Sequence, residues 1–384
     1  ANTTGDSYKA WGGANANNDW YKIYFKDVSM SQQHNLGVSG ATDNSNYYVG
    51  LGYNKKEGMY RYGDDNYRRY NLRANLSSNL TDWLTFNFRG AFSQDKFDTP
   101  NTYNGKTGGN YMHQIGRKHP NLALYNPDGG ISDESDVLLL KDGGRNISTN
   151  DKPIFTGEFV AKFAKNWSGT VNYTYDGSFN SSTSHVKTLY TALPSGMLRE
   201  IGGTAPNGFA RSFNKYQKNI TNAFTNYDLN LGKHQVKLLG GYVQELTTFS
   251  SLNGSNNNLY SDKIPSISTS YGTTPSVSDN AYKLAIQGYF GRINYSYDDK
   301  YLLEVTGRYD GTSRFLKDVR WKAYPGVSVG WNVNKESFWK EGIADVVNTL
   351  KFRASYGSLG DQAPDLLGNY PFYPSLQTVS PTSS

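Results

Sequence analysis

The sequence contains no cysteine and no long apolar run. A membrane-spanning helix needs about 18 consecutive, mostly apolar residues, so this class of membrane protein is excluded. The lack of cysteine removes thiolate ligands from any metal site and suits a protein that passes through an oxidising periplasm. Segments rich in leucine, isoleucine and valine, which fill the core of a soluble domain of this length, are also scarce.

Aromatic and small polar residues take their place. The 384 residues include 31 tyrosines, 18 phenylalanines and 40 glycines, yet the mean hydropathy is −0.67. This mixture is typical of two classes, a secreted β-protein and a membrane β-barrel whose polar lumen dilutes the hydropathy. The net charge is +6, and the lysines and arginines are scattered along the chain, which argues against a nucleic-acid partner.

Apolar and polar residues alternate along many segments, which predicts β-strands with one apolar and one polar face. In 84–92, for example, Leu84 and Phe86 alternate with Thr85 and Asn87. The same pattern, clear or weaker, occurs in 34–40, 46–54, 69–77, 155–163, 171–175, 223–231, 236–242, 289–297, 301–309, 323–331 and 350–356. About twelve strands of roughly ten residues match the length that crosses a bilayer in a tilted barrel, whereas strands of soluble proteins are usually shorter.

The connections between these segments alternate in length. Short turns are expected at 41–45, 78–82, 165–166, 232–233 and 298–299, and long polar connections at 55–66, 95–153, 177–218, 247–281 and 310–322. Outer-membrane barrels have short periplasmic turns and long extracellular loops. Trp83 and Trp167 follow short turns, and Trp331 precedes the link 332–349, the one periplasmic connection that is expected to be long. Amphipathic rings at this level are expected to form an aromatic girdle. The expected fold is therefore all-β, a transmembrane antiparallel barrel.

Charged residues occupy the polar positions of several predicted strands. An arginine that faces lipid near the middle of the bilayer costs about 2–4 kcal/mol, so these side chains are expected to face a wet lumen. The candidate lumen-facing residues are Arg69, Arg73, Arg89, Glu304, Arg308 and Arg353. A lumen that accommodates several arginines is wider than that of a small, solidly packed barrel.

Several ordered motifs resemble a known family of transporters. Residues 288–315 read GYFGRINYSYDDKYLLEVTGRYDGTSRF, followed by YPGVSVGW at 324–331 and LKFRASYG at 350–357. Nearer the start are DWY at 19–21, QHNL at 33–36 and RYNLR at 69–73. Together these motifs resemble the barrel of SusC/RagA-type TonB-dependent transporters, and the similarity spans most of residues 17–362 apart from the loops.

The resemblance implies a barrel of about 22 strands with a plugged lumen, of which this chain supplies about twelve. It also implies a Gram-negative outer-membrane location, a SusD-like surface lipoprotein as lid, TonB as energy source, and oligosaccharides or peptides as cargo. On this basis we expect residues 1–33 to join plug to barrel, 34–362 to form the N-terminal part of the barrel, and 363–384 to begin the next loop. The chain has a polar start without a signal peptide and lacks the aromatic strand that ends such barrels, so we expect a fragment or a partial chain.

The long connection 95–153 is the expected contact for cargo or lid, because aromatic, amide and charged groups suit both sugars and protein partners. The candidate residues are Tyr103, Tyr111, His113, Arg117 and Tyr125. No cofactor is expected. Calcium at the turns 63–66 and 126–129 is conceivable, but these turns lack EF-hand spacing and are explained by ordinary turn chemistry.

No phosphate-binding loop, nucleophile elbow or other catalytic motif is present, so we do not expect an enzyme. An outer-membrane phospholipase would need a serine–histidine pair at the outer rim, which the sequence does not reveal. Two non-enzyme alternatives remain open: a passive porin-like or surface-binding barrel without energy coupling, and a soluble β-rich binding protein.

Overall fold

The structure is a computed structural model that describes residues 5–8, 11, 16–101, 111–339, 346–361 and 368–372. Within these residues, one antiparallel sheet of twelve strands dominates the chain. Each strand pairs with its neighbours in chain order, except that β6 pairs with β9 because a small hairpin lies between them. The prediction of an all-β, antiparallel fold is confirmed.

The first six strands of the large sheet are β1 (Ser31–Ala41), β2 (Ser45–Glu57), β3 (Asn66–Asn79), β4 (Leu84–Pro100), β5 (Gly144–Ala164) and β6 (Trp167–Val186). The other six are β9 (Gly208–Leu231), β10 (His234–Asn257), β11 (Ser276–Tyr297), β12 (Tyr301–Thr312), β13 (Trp321–Asn332) and β14 (Lys351–Gly357). The small hairpin is β7 (Tyr190–Ala192) and β8 (Leu198–Glu200). The described residues also form three short α-helices, α1 (Trp20–Tyr24), α2 (Tyr111–Gly116) and α3 (Val137–Asp142), and four short 3-10 helices.

The register of the sheet keeps apolar residues on one face. Leu36 lies opposite Leu51, which lies opposite Leu72 on the next strand. At the other end of the sheet, Ile293 pairs with Val305. Since side chains alternate between faces along a strand, directly paired residues share a face, and the alternation in the sequence becomes one continuous apolar surface.

This apolar surface is exposed. Leu72 is 41% exposed, Leu303 is 38% exposed and Val329 is 50% exposed. The wall of the sheet therefore has no core of its own among the described residues, and its apolar side is not sealed inside a globule. No helix in the described part of the chain is both long enough and apolar enough to cross a membrane.

The strands are longer than the sequence pattern predicted. The segment predicted at 223–231 belongs to β9, which has 24 residues, and the segment at 236–242 belongs to β10, which also has 24. Their additional residues have polar side chains on both faces, so dyad alternation does not mark them. Backbone pairing continues through this polar region, and the connections are correspondingly shorter than predicted.

The two ends of the sheet differ in their connections. At one end are tight turns, where Gly232 (φ 58°), Asp298 (φ 52°) and Asp299 (φ 53°) adopt the left-handed conformation that hairpin turns require. At the other end, the long connections 58–65, 101–143, 187–207, 258–275 and 313–320 emerge. The exposed rings of Trp83 and Trp167 lie beside tight turns, as the girdle interpretation predicted.

The main buried core lies among the long connections. It is formed by Trp20, Tyr24, Tyr111, Ile115, Val137, Leu139, Leu140, Leu189 and Ile201. These residues come from α1, α2, α3 and the connection 187–207. Residues 16–30, predicted as part of a junction between plug and barrel, thus lie at the long-connection end of the sheet, where β1 begins.

Candidate functional site

The polar face of the sheet carries all six charged residues that the sequence marked as lumen-facing. Arg73 follows Leu72 on β3, and Glu304 follows Leu303 on β12, so each lies on the face opposite the exposed apolar surface. The pairing register extends this assignment across the sheet. The set is Arg69, Arg73, Arg89, Glu304, Arg308 and Arg353.

Ion pairs on the polar face leave some cations without a partner. The guanidinium of Arg89 lies 3.2 Å from the carboxylate of Glu158, and that of Arg308 lies 3.0 Å from Asp310. Arg73 has no carboxylate within 4.0 Å among the described residues. An exposed, unpaired guanidinium is able to donate hydrogen bonds to a ligand or to a covering domain.

Two polar recesses lie on this face. The first, toward the long connections, is lined by Gln33, Asn54, Lys56, Tyr67, Arg69 and Asn71. The second, toward the tight turns, is lined by Lys237, Asn294, Glu304, Ser328, Lys351 and Arg353, together with neighbouring residues. Amide, hydroxyl and charged groups at a concave surface are suited to hydrogen-bond the polar groups of sugars or peptides.

Above the sheet is a packed unit that we call the loop cap: the described residues of 16–30, 58–65, 111–143 and 187–207. Its core combines three aromatic residues with aliphatic side chains. The ring of Tyr24 packs edge-on against Tyr111 with centroids 5.8 Å apart, and Tyr60 contacts Tyr111 in the same way at 6.0 Å. Trp20 closes one side, and its indole Nε1 donates to the carbonyl of His119 over 2.8 Å.

The hydroxyls of the two buried tyrosines donate hydrogen bonds to two adjacent backbone carbonyls, those of residues 135 and 136. Tyr24 donates to the carbonyl of Ser135, and Tyr111 donates to that of Asp136 over 2.9 Å. Burial raises the pKa of both tyrosines far above the usual value near 10. Both hydroxyls are therefore neutral donors at physiological pH, and they hold the start of α3 against the rest of the cap.

A buried ion pair strengthens the same region. Lys118 Nζ lies 2.6 Å from the carboxylate of Asp136, and the two side chains are only 10% and 9% exposed. The ammonium also donates to the carbonyl of Glu134. Since an unpaired buried charge is costly, both partners are needed to keep this segment in place.

The structure describes four of the five loop residues that were predicted to contact cargo or lid, and these four differ in exposure. Tyr111 is 4% exposed, so it supports the cap from inside and is not an exposed contact. His113 and Arg117 are on the outer side of α2 and just beyond it, and Tyr125 is 53% exposed. Tyr103 lies outside the described residues.

Sequence reasoning missed the contribution of residues 16–30 to the loop cap. A signal was present: Asp19 accepts a hydrogen bond from the backbone N–H of Lys22 as a helix N-cap, and Trp20 and Tyr24 are four residues apart. That spacing puts both rings on one side of a short helix. Among the described residues, no group of three or more histidine, aspartate or glutamate side chains is arranged to hold a metal ion.

A long antiparallel wall with an exposed apolar face, a polar opposite face and tight turns at one end defines the outer-membrane β-barrel class of protein. Comparisons with known proteins narrow this class. No protein-family model matches the chain. The chain is 28% identical over 365 residues to TonB-dependent receptor P26 of Formosa agariphila, covering 91% of the chain and 34% of that protein.

Two further comparisons agree. The chain is 26% identical over 408 residues to TonB-dependent receptor SusC of Bacteroides thetaiotaomicron, covering 94% of the chain and 37% of that protein. Its fold matches a chain of the RagAB peptide importer in the closed-closed state with a TM-score of 0.74 at 18% identity, covering 95% of this chain and 39% of that one.

The chain is thus similar to SusC/RagA-type TonB-dependent receptors, and the resemblance predicted from its motifs is confirmed. It spans about a third of the length of the curated relatives it matches. These relatives are named as receptors and not as enzymes, in agreement with the prediction of a non-enzyme.

Proposed function

We propose that this chain forms part of the wall and outer surface of a transporter that imports oligosaccharides or peptides across the outer membrane of a Gram-negative bacterium. The observation that carries the proposal is the continuous apolar face of the sheet, exposed on one side and backed by charged residues such as Arg73 on the other. Such a wall needs hydrocarbon on one side and water on the other.

The similarity to TonB-dependent receptors supports a proposal for the energy source and the partners. We propose that TonB energises import, through a segment other than the described residues, and that a SusD-like lipoprotein covers the loop cap. The exposed residues Arg117 and Tyr125, together with His113, are placed on the outer side of the cap, where a lid or arriving cargo makes contact.

For the polar face, we propose that Arg69, Arg73, Arg89, Glu304, Arg308 and Arg353 line the lumen. The recess that contains Arg69 lies toward the cap, and the recess that contains Glu304 and Arg353 lies toward the tight turns. Cargo that enters from the outside meets the first recess before the second.

Uptake by cells tests this proposal. The expected result is that deletion of the gene abolishes uptake of its cargo, and that uptake by the intact protein stops when TonB is deleted or the proton-motive force is collapsed. A passive porin-like barrel is the competing function, and it predicts uptake that continues in de-energised cells. Recovery of the protein in the aqueous phase after detergent partition would contradict both functions.

The lid is tested separately. Affinity purification of the full-length protein from membranes in mild detergent is expected to recover a surface lipoprotein. Replacing Arg117 and Tyr125 by alanine is expected to weaken that association without unfolding the cap, because neither side chain is in its core. Leu80→Ala, an exposed position in a tight turn at the opposite end of the sheet, is the control. Purification of the transporter alone under these conditions would contradict the lidded arrangement.

A further inference from the structure

The exposed apolar face of the sheet ends in a row of like charges. Lys55 on β2 lies directly opposite Arg68 on β3, which lies directly opposite Lys96 on β4. These positions are four residues from Leu51 and Leu72 on their own strands, so they share the face of those apolar residues. We call Lys55, Arg68 and Lys96 the cation row.

The cation row lies beyond a row of aromatic and amide groups. Going along the strands toward the long connections, Leu51 and Leu72 are followed two residues later by Tyr53 and Tyr70, whose ring centroids are 5.2 Å apart. The cation row comes two residues later again, about 7 Å farther along the strands. Hydrocarbon, interface and headgroup layers of a membrane select this order of apolar, tyrosine and basic side chains.

Like charges in directly opposite cross-strand positions destabilise a sheet, so the row calls for a compensating anion. The part of the chain that the structure describes supplies a carboxylate partner for only one of the three cations. Lys55 Nζ lies 2.7 Å from the carboxylate of Glu57. Arg68 and Lys96 have no carboxylate within 4.0 Å among the described residues.

The next carboxylate along β4 on this face already has a cationic partner. Asp98 follows Lys96 by two residues on β4, but its carboxylate lies 2.6 Å from the guanidinium of Arg145. Asp151 on β5 lies opposite Gln94 on the same face and accepts a hydrogen bond from that amide over 2.7 Å. Within the described residues, Lys55 and Arg145 are thus paired with carboxylates, whereas Arg68 and Lys96 are not.

We propose that the cation row binds the phosphate group of a phosphorylated lipid headgroup in the outer leaflet. The arginine supplies a planar fork that binds two phosphate oxygens, and the flanking lysines supply point charges. The proposal rests on the membrane placement given under Proposed function. It assigns a lipid partner to the outer face of the wall, the side that cargo in the lumen does not reach.

A lipid explains the site better than a phosphate free in solution. The apolar residues Leu51 and Leu72 lie below the cations, separated from them by one row that contains Tyr53 and Tyr70. Acyl chains that pack against these apolar residues therefore hold their headgroup near the level of Arg68. Attraction of this kind scales with the number of cations near the lipid surface.

The test uses the full-length transporter in phosphatidylcholine nanodiscs that contain a minor fraction of lipid A, a phosphate-monoester glycolipid. Bound lipid A is counted by native mass spectrometry. The double variant Arg68→Gln and Lys96→Gln is expected to lower lipid A retention about 25-fold, since each of the two cations near an anionic lipid contributes roughly a factor of five. Free inorganic phosphate at the same concentration is expected not to displace the lipid.

The control is the double variant Lys215→Gln and Lys283→Gln, which removes two cations from the same face at positions farther from the tight turns than the cation row. Both lysines lie on the same face, opposite Ser250 and Thr248 respectively, so neither faces another cation across a strand pair. Equal loss of lipid A in both double variants, unchanged retention in the Arg68/Lys96 variant, or displacement by free phosphate would overturn the proposal. Unchanged retention by a correctly inserted, transport-competent protein would leave the proposed function standing, whereas failure of the chain to insert would remove both.

Discussion

The loop cap and the wall formed by the sheet place the same kinds of apolar residue in opposite environments. In the cap, Val137 is 0% exposed and Leu139 is 1% exposed, whereas in the wall Leu72 is 41% exposed and Leu303 is 38% exposed. The cap buries its apolar side chains against one another and is stable in water. The wall keeps them outward and is held by backbone pairing, so it depends on lipid.

The difference shows that an apolar residue in this chain has one of two structural roles, depending on the segment that contains it. Within dyad alternation it marks a surface for hydrocarbon, and within a long connection it marks a packing contact. Substitutions that introduce a cavity should therefore act in the cap, and substitutions that introduce a charge should act in the wall.

The largest expected effect comes from Leu139→Ala in the cap. The variant removes a fully buried side chain from the core and is expected to destabilise the cap by roughly 3–5 kcal/mol. Hydrogen exchange of the backbone amides in 111–143 measures the change. Met197→Ala, which alters a side chain that is 62% exposed, is the control and should leave exchange unchanged. Equal protection in both variants would contradict the packed core.

Next is Val327→Arg on the apolar face of β13. A charge placed against lipid is expected to destabilise the folded barrel by about 2–4 kcal/mol. Ser328→Arg is the matched control, because the neighbouring position lies on the polar face opposite Glu304. Urea titration of the full-length protein in lipid vesicles measures both. A larger loss for Ser328→Arg than for Val327→Arg would reverse the assignment of the two faces.

Tyr24→Phe is expected to have a smaller destabilising effect, which is confined to the cap. The change keeps the ring but leaves the carbonyl of Ser135 without its donor, which is expected to cost about 1–3 kcal/mol in the cap. Proteolysis of the cap in native membranes measures the opening. Tyr21→Phe, on the exposed side of α1, provides the control and should have no effect. Wild-type resistance of Tyr24→Phe would show that the hydroxyl is dispensable.

The smallest expected effect is that of alkaline pH, which should lower the stability of the cap and not that of the sheet. Because burial raises the pKa of Tyr24 and Tyr111, folding favours their neutral forms. The stability of the cap is then complete below the usual tyrosine pKa near 10 and falls as pH rises above it, by about 0.8 kcal/mol per tyrosine at about pH 10.5. Hydrogen exchange between about pH 9 and about pH 11 tests this. The double variant with phenylalanine at both positions should lose the dependence.

The wall was largely predictable from the sequence, because a period of two is a local signal. The alternation around Leu72 and Leu303 located strands and faces, and the short turns located their ends. The polar extensions of β9 and β10 were not predictable in this way. Polar side chains occur on both faces of these extensions and interrupt the alternation, so only the pairing with neighbouring strands reveals them.

The cap was not predictable because its contacts are distant in the chain. Tyr24 meets Ser135 across 111 positions, and Trp20 meets His119 across 99. No local period records such a contact. Tyr111 illustrates the consequence: composition marked it as a residue for cargo, and tertiary packing buries it. The charged positions on the wall, such as Arg73, followed directly from the alternation.

The length of β9 and β10 has a consequence for the height of the wall. A strand of 24 residues is about 80 Å long and, tilted by about 40°, rises roughly 60 Å, whereas the apolar band is about 25 Å tall. Roughly half of this height therefore extends past the apolar band. Because β12 and β13 have only 12 residues each, the wall is taller on one side. On the proposed membrane placement, its longest strands carry the connections 187–207 and 258–275 away from the lipid surface.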